Sequence, residues 1–286
     1  MLVTMKEILD RAQKENYAVP APNVFYELET RAVLELAEEL KSPIILDVFP
    51  TFGPSILDLA KRASVPVAIN LDHGRTYKDI VKTIVKQASS VMVDRSMLSY
   101  EDNVKEVSEI VKIAHSVGIS VEAELGHVGN GEQYDIDGKT ALTVPDEAVR
   151  FVKETNIDAL AIAIGTAHGV YSGIPMIHFD LLKEINDKVD IPLVLHGGSG
   201  TGFDNIKKAC SMGINKVNVN TDLSKGAMNE LKETIETGRR SFYFIDIANG
   251  YKKVLKQYME ACGCIGKAWN VEPKGISGEA LMLRKK

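Results

Sequence analysis

The sequence predicts an α/β protein, a TIM (β/α)8 barrel with an extra N-terminal helix and a C-terminal helical extension. Three observations predict it. Short apolar runs alternate with longer helical patterns eight times along the chain. The runs are apolar throughout, without polar alternation, which suits parallel strands covered on both faces. No linker-like stretch divides the chain, so eight βα units favour one closed barrel over two open sheets. The 286 residues slightly exceed the ~250 typical of this barrel. They would also fit two domains of ~100–200 residues, so length alone does not decide. The reading is one domain over residues 1–286, with the extension starting at about residue 240.

Thr4-Met-Lys-Glu7 reads as a capping box that opens the first helix. Ile8, Leu9 and Ala12 give this helix an apolar stripe, and it is expected to close the bottom of the barrel. Strand-like runs follow at 18–21, 44–48, 67–71, 90–93, 120–123, 159–163, 193–195 and 216–219. Helical patterns occupy 27–40, 77–87, 102–117, 145–154, 179–188, 204–212 and 222–236, with a weaker one at 55–62. Ser42-Pro43, Val65-Pro66, Gly118-Ile119 and Ile191-Pro192 mark places where a helix hands over to a strand. After the eighth strand, helix is expected to run on to about residue 262, before a tail rich in Gly and charge.

The stretch 126–143 carries Gly126, Gly129, Gly131 and Gly138, with Glu132, Asp135 and Asp137. A loop this long in a compact domain is usually functional or disordered. It follows strand five, on the face where barrel active sites lie.

Composition narrows the class. Hydrophobic residues make up 45% and charged residues 26%, the proportions of a globular domain with a large core. The net charge is −5 with no basic stripe, so a nucleic-acid footprint is lacking. No run approaches the ~18 apolar residues of a membrane span, and the N-terminus lacks a signal-peptide pattern. Cys210, Cys262 and Cys264 are an odd set without a disulfide framework, which suits a cytoplasmic protein. Cys262 and Cys264 have no nearby His or Cys partners for a zinc site.

The chemistry is expected at the C-terminal ends of the strands and in the loops after them. Strand three ends at Leu71 and is followed by Asp72 and His73; strand four meets Asp94; strand five closes on Glu122 and Glu124. Strand six leads to His168 and Gly169, strand seven to His196, and strand eight to Asn218, Asn220 and Thr221. Three of the six histidines fall at these ends; His115, His127 and His178 do not. Three neutral imidazoles on one barrel mouth suit a catalytic zinc with a position left open. Gly197-Gly198-Ser199-Gly200 lies between a strand and a helix, where backbone N–H groups and a helix N-terminus can receive a phosphate.

Four motifs carry a resemblance to a known family: Asn70-Leu-Asp72-His73-Gly74, Glu122-Ala-Glu124-Leu-Gly126, Gly165-Thr-Ala-His168-Gly169 and Leu195-His196-Gly197-Gly198-Ser199-Gly200. In order and without large gaps, from about residue 4 to 267, the chain resembles the class II aldolases of fructose and tagatose bisphosphates. The resemblance implies that His73, His168 and His196 hold a catalytic Zn2+. It implies that Asp72 moves a proton at the C4 hydroxyl during cleavage of a ketose 1-phosphate to dihydroxyacetone phosphate and an aldehyde. Glu132 would exchange a proton with the dihydroxyacetone phosphate carbon. Asp94 and Glu124 match a second metal position. Asn23, Gly169, Gly197, Gly198, Ser199, Asn218, Val219, Asn220 and Thr221 match the dihydroxyacetone phosphate pocket. A monovalent cation (Na+ or K+) near Gly169 and Gly197, and a homodimer or homotetramer, are also implied.

Some positions depart from the family pattern. Asn70 stands where family members usually carry His, and Asp47-Val-Phe49 where Gln or a small residue precedes Ser. Asp94-Arg95-Ser96-Met97 replaces Asp-Gly-Ser-His, and Tyr171-Ser172 replaces Tyr-Lys. These changes are expected around the barrel rim, with Arg95 as a bidentate anion site and Phe49 making the rim less polar. They leave open another substrate, such as a deoxy-sugar acid or a sulfosugar. A non-catalytic sugar-phosphate-binding subunit is a further alternative, but it would not need all three histidines, Asp72 and Glu132.

Overall fold

The computed structural model describes residues 1–129, 142–169, 171, 175–239 and 242–270. The chain opens with α1 (Met5–Lys14), then β1 (Val19–Pro22), α2 (Glu27–Glu39), β2 (Ile44–Val48), α3 (Pro54–Arg62) and β3 (Val67–Gly74). It continues with α4 (Tyr77–Val85), β4 (Ser90–Val93), α5 (Tyr100–Ser116), β5 (Ser120–Leu125), α6 (Pro145–Thr155) and β6 (Ala159–Ile162). It finishes with α7 (Phe179–Lys188), β7 (Leu193–Leu195), α8 (Phe203–Ser211), β8 (Ile214–Val219), α9 (Thr221–Glu236) and α10 (Tyr243–Cys262).

Every strand pair is parallel, in the order β1-β8-β7-β6-β5-β4-β3-β2. A bridge between Asn23 and Asp47, with Val24 N–H donating to Asp47 O at 2.9 Å, brings β1 against β2 and completes the ring. The strands are buried along their lengths because side chains on one face fill the barrel and those on the other meet the helices.

The first helix forms as expected. Thr4 Oγ1 accepts from Glu7 N–H at 3.2 Å, satisfying one free donor of the first turn. Met5, Ile8, Leu9 and Ala12 are fully buried. α1 packs on β3, β5 and β8, and Met5 Sδ lies 3.7 Å from Ser90 Oγ at the start of β4. It therefore plugs the N-terminal end, where Ile8 and Leu9 each contribute roughly 1.5–3 kcal/mol on burial.

Two elements differ from expectation. The helix after β8 is not continuous: α9 ends at Glu236, and Gly238 adopts φ +63 before α10 begins. Strand three does not stop at Leu71. It runs on to Gly74 with one extra residue, since Leu71 pairs Val91 but Gly74 pairs Val93. The bulge places His73 at φ +47. Adjacent strand residues normally point to opposite faces; a bulge re-aims one of them, so Asp72 and His73 both reach the site. None of the described helices is long and apolar enough to cross a membrane.

Candidate active site and metal centre

The three histidines meet. His73 comes from the β3 bulge, His168 from the loop after β6, and His196 from the residue after β7. His73 Nε2 lies 3.1 Å from His168 Nε2, which lies 3.5 Å from His196 Nδ1. The outward nitrogens are taken up elsewhere: His73 Nδ1 is 2.9 Å from Asp94 Oδ2, and His196 Nε2 is 2.8 Å from Glu122 Oε1. Converging ring nitrogens backed by carboxylates are a donor arrangement that could hold a metal ion. Burial pushes His168 down to about 3, helped by repulsion from His196 and His73. Burial also lowers His196. Both therefore present the neutral imidazole that ligates metal. Burial lowers His73 too, but its bond to Asp94 and the charges of Asp72 and Glu124 prevail and raise it to about 9.

Asp94 and Glu124 share a second cluster with His73. Glu124 Oε1 accepts from Val128 N–H at 2.8 Å, while its Oε2 is buried with no partner among the described residues. Burial, reinforced by Asp94, raises Glu124 to about 8.

Asp72 is held from two sides. Asn23 Nδ2 donates to its Oδ2 at 2.8 Å and Asn218 Nδ2 to its Oδ1 at 3.3 Å. Burial opposes its ionisation, but the charges of His73 and Lys216 and the Asn23 amide outweigh it, so the carboxyl is lowered. Asp72 is therefore an ionised carboxylate beside the histidine cluster.

One cleft joins these groups to the glycine turn. It is lined by Asp72, His168, His196, Asn23, Gly169, Gly197, Gly198, Ser199, Asn218, Val219, Asn220 and Thr221. All nine residues expected at the phosphate pocket are in that lining. Ser199 Oγ accepts from the N–H groups of Asn220 and Asp222, each at 3.2 Å, which fixes the hydroxyl in the cleft wall. The N-cap Asn220 makes no side-chain cap bond to α9, and Ser199 Oγ takes the Asp222 N–H of its first turn instead. Gly197 has φ +68, and a Cβ there would lie 2.3 Å from Ala167 O, so the β6 and β7 loops approach closely only because it is glycine. Tyr171 ties the same loops: its hydroxyl accepts from Ala167 N–H at 2.8 Å and donates to Gly197 O at 2.9 Å.

Arg95 is not an anion site. It is 6% exposed, pairs with Glu106, and donates to Gly74 O at 3.0 Å and Asp94 O at 2.8 Å. Nor do all the departures lie at the rim. Asp47 and Asn70 are fully buried inside the barrel, while Phe49 and Met97 are exposed. Glu132 and Ser172 lie outside the described residues.

Sequence reasoning assigned no role to Glu122, Lys216 or Tyr258, all of which support the site. A lysine within the strand Ile214–Val219, every residue of which is buried, was the available signal.

Known proteins resemble this chain over nearly its whole length. The family described as "Fructose-bisphosphate aldolase class-II" matches residues 3–267. A fructose-bisphosphate aldolase of Thermus caldophilus is 38% identical, over 94% of this chain and 100% of that protein. Among solved structures, the YdjI aldolase of Escherichia coli superposes with a TM-score of 0.84 at 34% identity, covering 94% of this chain and 100% of that one. A putative fructose-1,6-bisphosphate aldolase of Coccidioides immitis gives 0.81 at 28% identity, covering 92% and 97%. Fold and comparisons together define a carbon–carbon lyase built on an eight-stranded barrel. The chain belongs to the class II fructose-bisphosphate aldolase family.

Proposed function

We propose that the protein is a zinc-dependent aldolase that reversibly cleaves a ketose 1-phosphate to dihydroxyacetone phosphate and an aldehyde such as glyceraldehyde 3-phosphate. The observation that carries this reading is the single cleft in which Asp72, two of the three histidines and the whole predicted phosphate pocket face one another.

His73, His168 and His196 would hold Zn2+, with Asp94 and Glu124 as a second metal position. When bound, zinc supplies Lewis-acid stabilisation of the negative charge that cleavage leaves on the substrate oxygen. The remaining work falls to the chain. Asn23 and Asn218 orient Asp72, whose carboxylate takes the proton of the C4 hydroxyl as the carbon–carbon bond breaks. Ser199 and the N–H groups at the start of α9 grip the phosphate and fix the sugar's direction. In this reading Glu132 handles the proton at the dihydroxyacetone phosphate carbon, and Na+ or K+ near Gly169 and Gly197 assists the phosphate. No lysine Schiff base is needed.

The reading also includes a cytoplasmic homodimer or homotetramer with no nucleic-acid or membrane partner. Three unbridged, buried cysteines support the compartment. Exposed Met228, Ile235, Phe242 and Tyr243 on α9, α10 and the turn between them support self-association.

The first reading takes substrates of fructose and tagatose bisphosphate type. A less polar aldehyde half is the second reading, favoured by Phe25 and Phe49. Their rings stack at 5.2 Å and are 43% and 39% exposed, two residues beyond Asn23 and Asp47.

The test is release of dihydroxyacetone phosphate from both bisphosphates, beside analogues unphosphorylated or sulfonated at the far end. Activity should vanish with a chelator and return with zinc. A chelator-insensitive enzyme would overturn the zinc reading, and a strong preference for an ordinary bisphosphate would remove the second reading.

A further inference from the structure

A line of polar side chains runs through the barrel interior beneath the histidines. Lys216, Glu122, Asp47 and Asn70 are each 0% exposed. Lys216 shares the inward face of β8 with Asn218 by strand alternation. Its Nζ donates to Glu122 Oε2 at 2.7 Å and lies 3.5 Å from Asp47 Oδ1. Asn70 Nδ2 donates to that same Asp47 oxygen at 2.9 Å. The other oxygen of Glu122 is 2.8 Å from His196 Nε2, while His196 Nδ1 faces His168. Side chains from β2, β3, β5 and β8 thus form one chain that ends on a histidine of the triad.

Stability alone is a poor reason for this chain. Replacing a buried ion pair by apolar side chains is often neutral or stabilising. A histidine ligand, by contrast, needs its other ring nitrogen fixed, because that bond decides which nitrogen faces the metal and how the ring is turned. Glu122 offers an acceptor to Nε2–H, so Nδ1 is left with its lone pair toward the cleft. Glu122 can hold that position only if its second oxygen is anchored, and Lys216 is the anchor. Asp47 and Asn70, two departures from the family pattern, are register partners across β2 and β3 and meet each other and Lys216.

We propose that Lys216 and Glu122 are positioning residues for the metal centre: Lys216 holds Glu122, Glu122 turns His196 Nδ1 toward His73 and His168, and the Asp47–Asn70 pair braces Lys216 from the far side. The proposal rests on the reading that the three histidines bind zinc.

The experiment measures zinc affinity by chelator competition, and the visible spectrum of the cobalt(II)-loaded protein, for wild type, Lys216→Met, and the double variant Glu122→Leu/Lys216→Met. The double variant removes both charges together, so neither member of the ion pair is left buried alone. Both variants should bind zinc about 10–100-fold more weakly, and their cobalt spectra should differ from wild type. A folded double variant with wild-type zinc affinity and an unchanged cobalt spectrum overturns the proposal. Should the double variant not fold, Glu122→Gln decides: weaker zinc binding with an altered cobalt spectrum supports the relay, and unchanged values overturn it. A wild-type protein that takes up neither metal overturns the zinc reading itself, a distinct result.

Discussion

The hydroxyl of Tyr258, on α10, donates to the Asp222 carboxylate at the start of α9, at 2.7 Å. The same Asp222 oxygen accepts from Gly200 N–H at 2.9 Å, and the tyrosine oxygen lies 3.2 Å from Gly198 O. A second tyrosine of α10, Tyr251, donates to Asn23 O at 2.7 Å. The C-terminal extension therefore holds the glycine turn after β7 and the end of β1, two sides of one cleft.

Tyr258→Phe should loosen the glycine turn without touching the histidines. Loss of one buried hydrogen bond costs about 1–3 kcal/mol. The expected outcome is a lower thermal midpoint and a KM for the phosphorylated ketose raised roughly fivefold, the equivalent of about 1 kcal/mol. Steady-state kinetics check it, with kcat changing less than KM.

Asp72→Asn preserves the volume between Asn23 and Asn218 but removes the proton acceptor. We expect kcat to fall by about 10²–10⁴-fold, with zinc content unchanged by metal analysis. Full activity in this variant would refute the role given to Asp72.

Gly197→Ala places a Cβ 2.3 Å from Ala167 O on a residue with φ +68. The backbone of two loops must then separate, at a cost on the order of 1–3 kcal/mol. Denaturation midpoints should fall, and substrate should bind more weakly because His168 and the phosphate turn part.

Asp47 should leave a pH signature in stability. Burial raises it to about 8, with Asp72 and Glu122 adding to the shift and Lys216 and Asn70 opposing it; an unfolded aspartate titrates near ~3.9. The folded state thus holds a proton that the unfolded state releases between these values. The Asp47 contribution to stability is fully present below the unfolded value and is lost as pH rises through about 8. Asp47→Asn cannot lose it. Denaturant midpoints from pH 4 to 9 should decline for wild type relative to the variant; parallel profiles would contradict the shift.

Much of the candidate site was legible because barrel chemistry sits where strands end. His73, His168, His196, Asp72 and the Gly197–Gly200 turn could each be placed from a strand end and its flanking turn. Arg95 misled that logic. It follows strand four, yet its guanidinium is spent on Glu106 and two carbonyls, a fact of packing that no local pattern reveals. Asp47 and Asn70 misled it too, because both point into the barrel and meet only when β2 and β3 pair.

The division follows from the range of the forces involved. The amino-acid sequence alone determined the alternation of strands and helices, since the burial of apolar faces imposes that periodicity over a few residues. It also determined which polar residues stand at strand ends. Tertiary structure decided that β3 bulges to present Asp72 and His73 together, and that Lys216 reaches Glu122 across 94 residues of chain. Those contacts depend on ring closure and strand register, which bring distant side chains within hydrogen-bonding distance only after the whole barrel has formed.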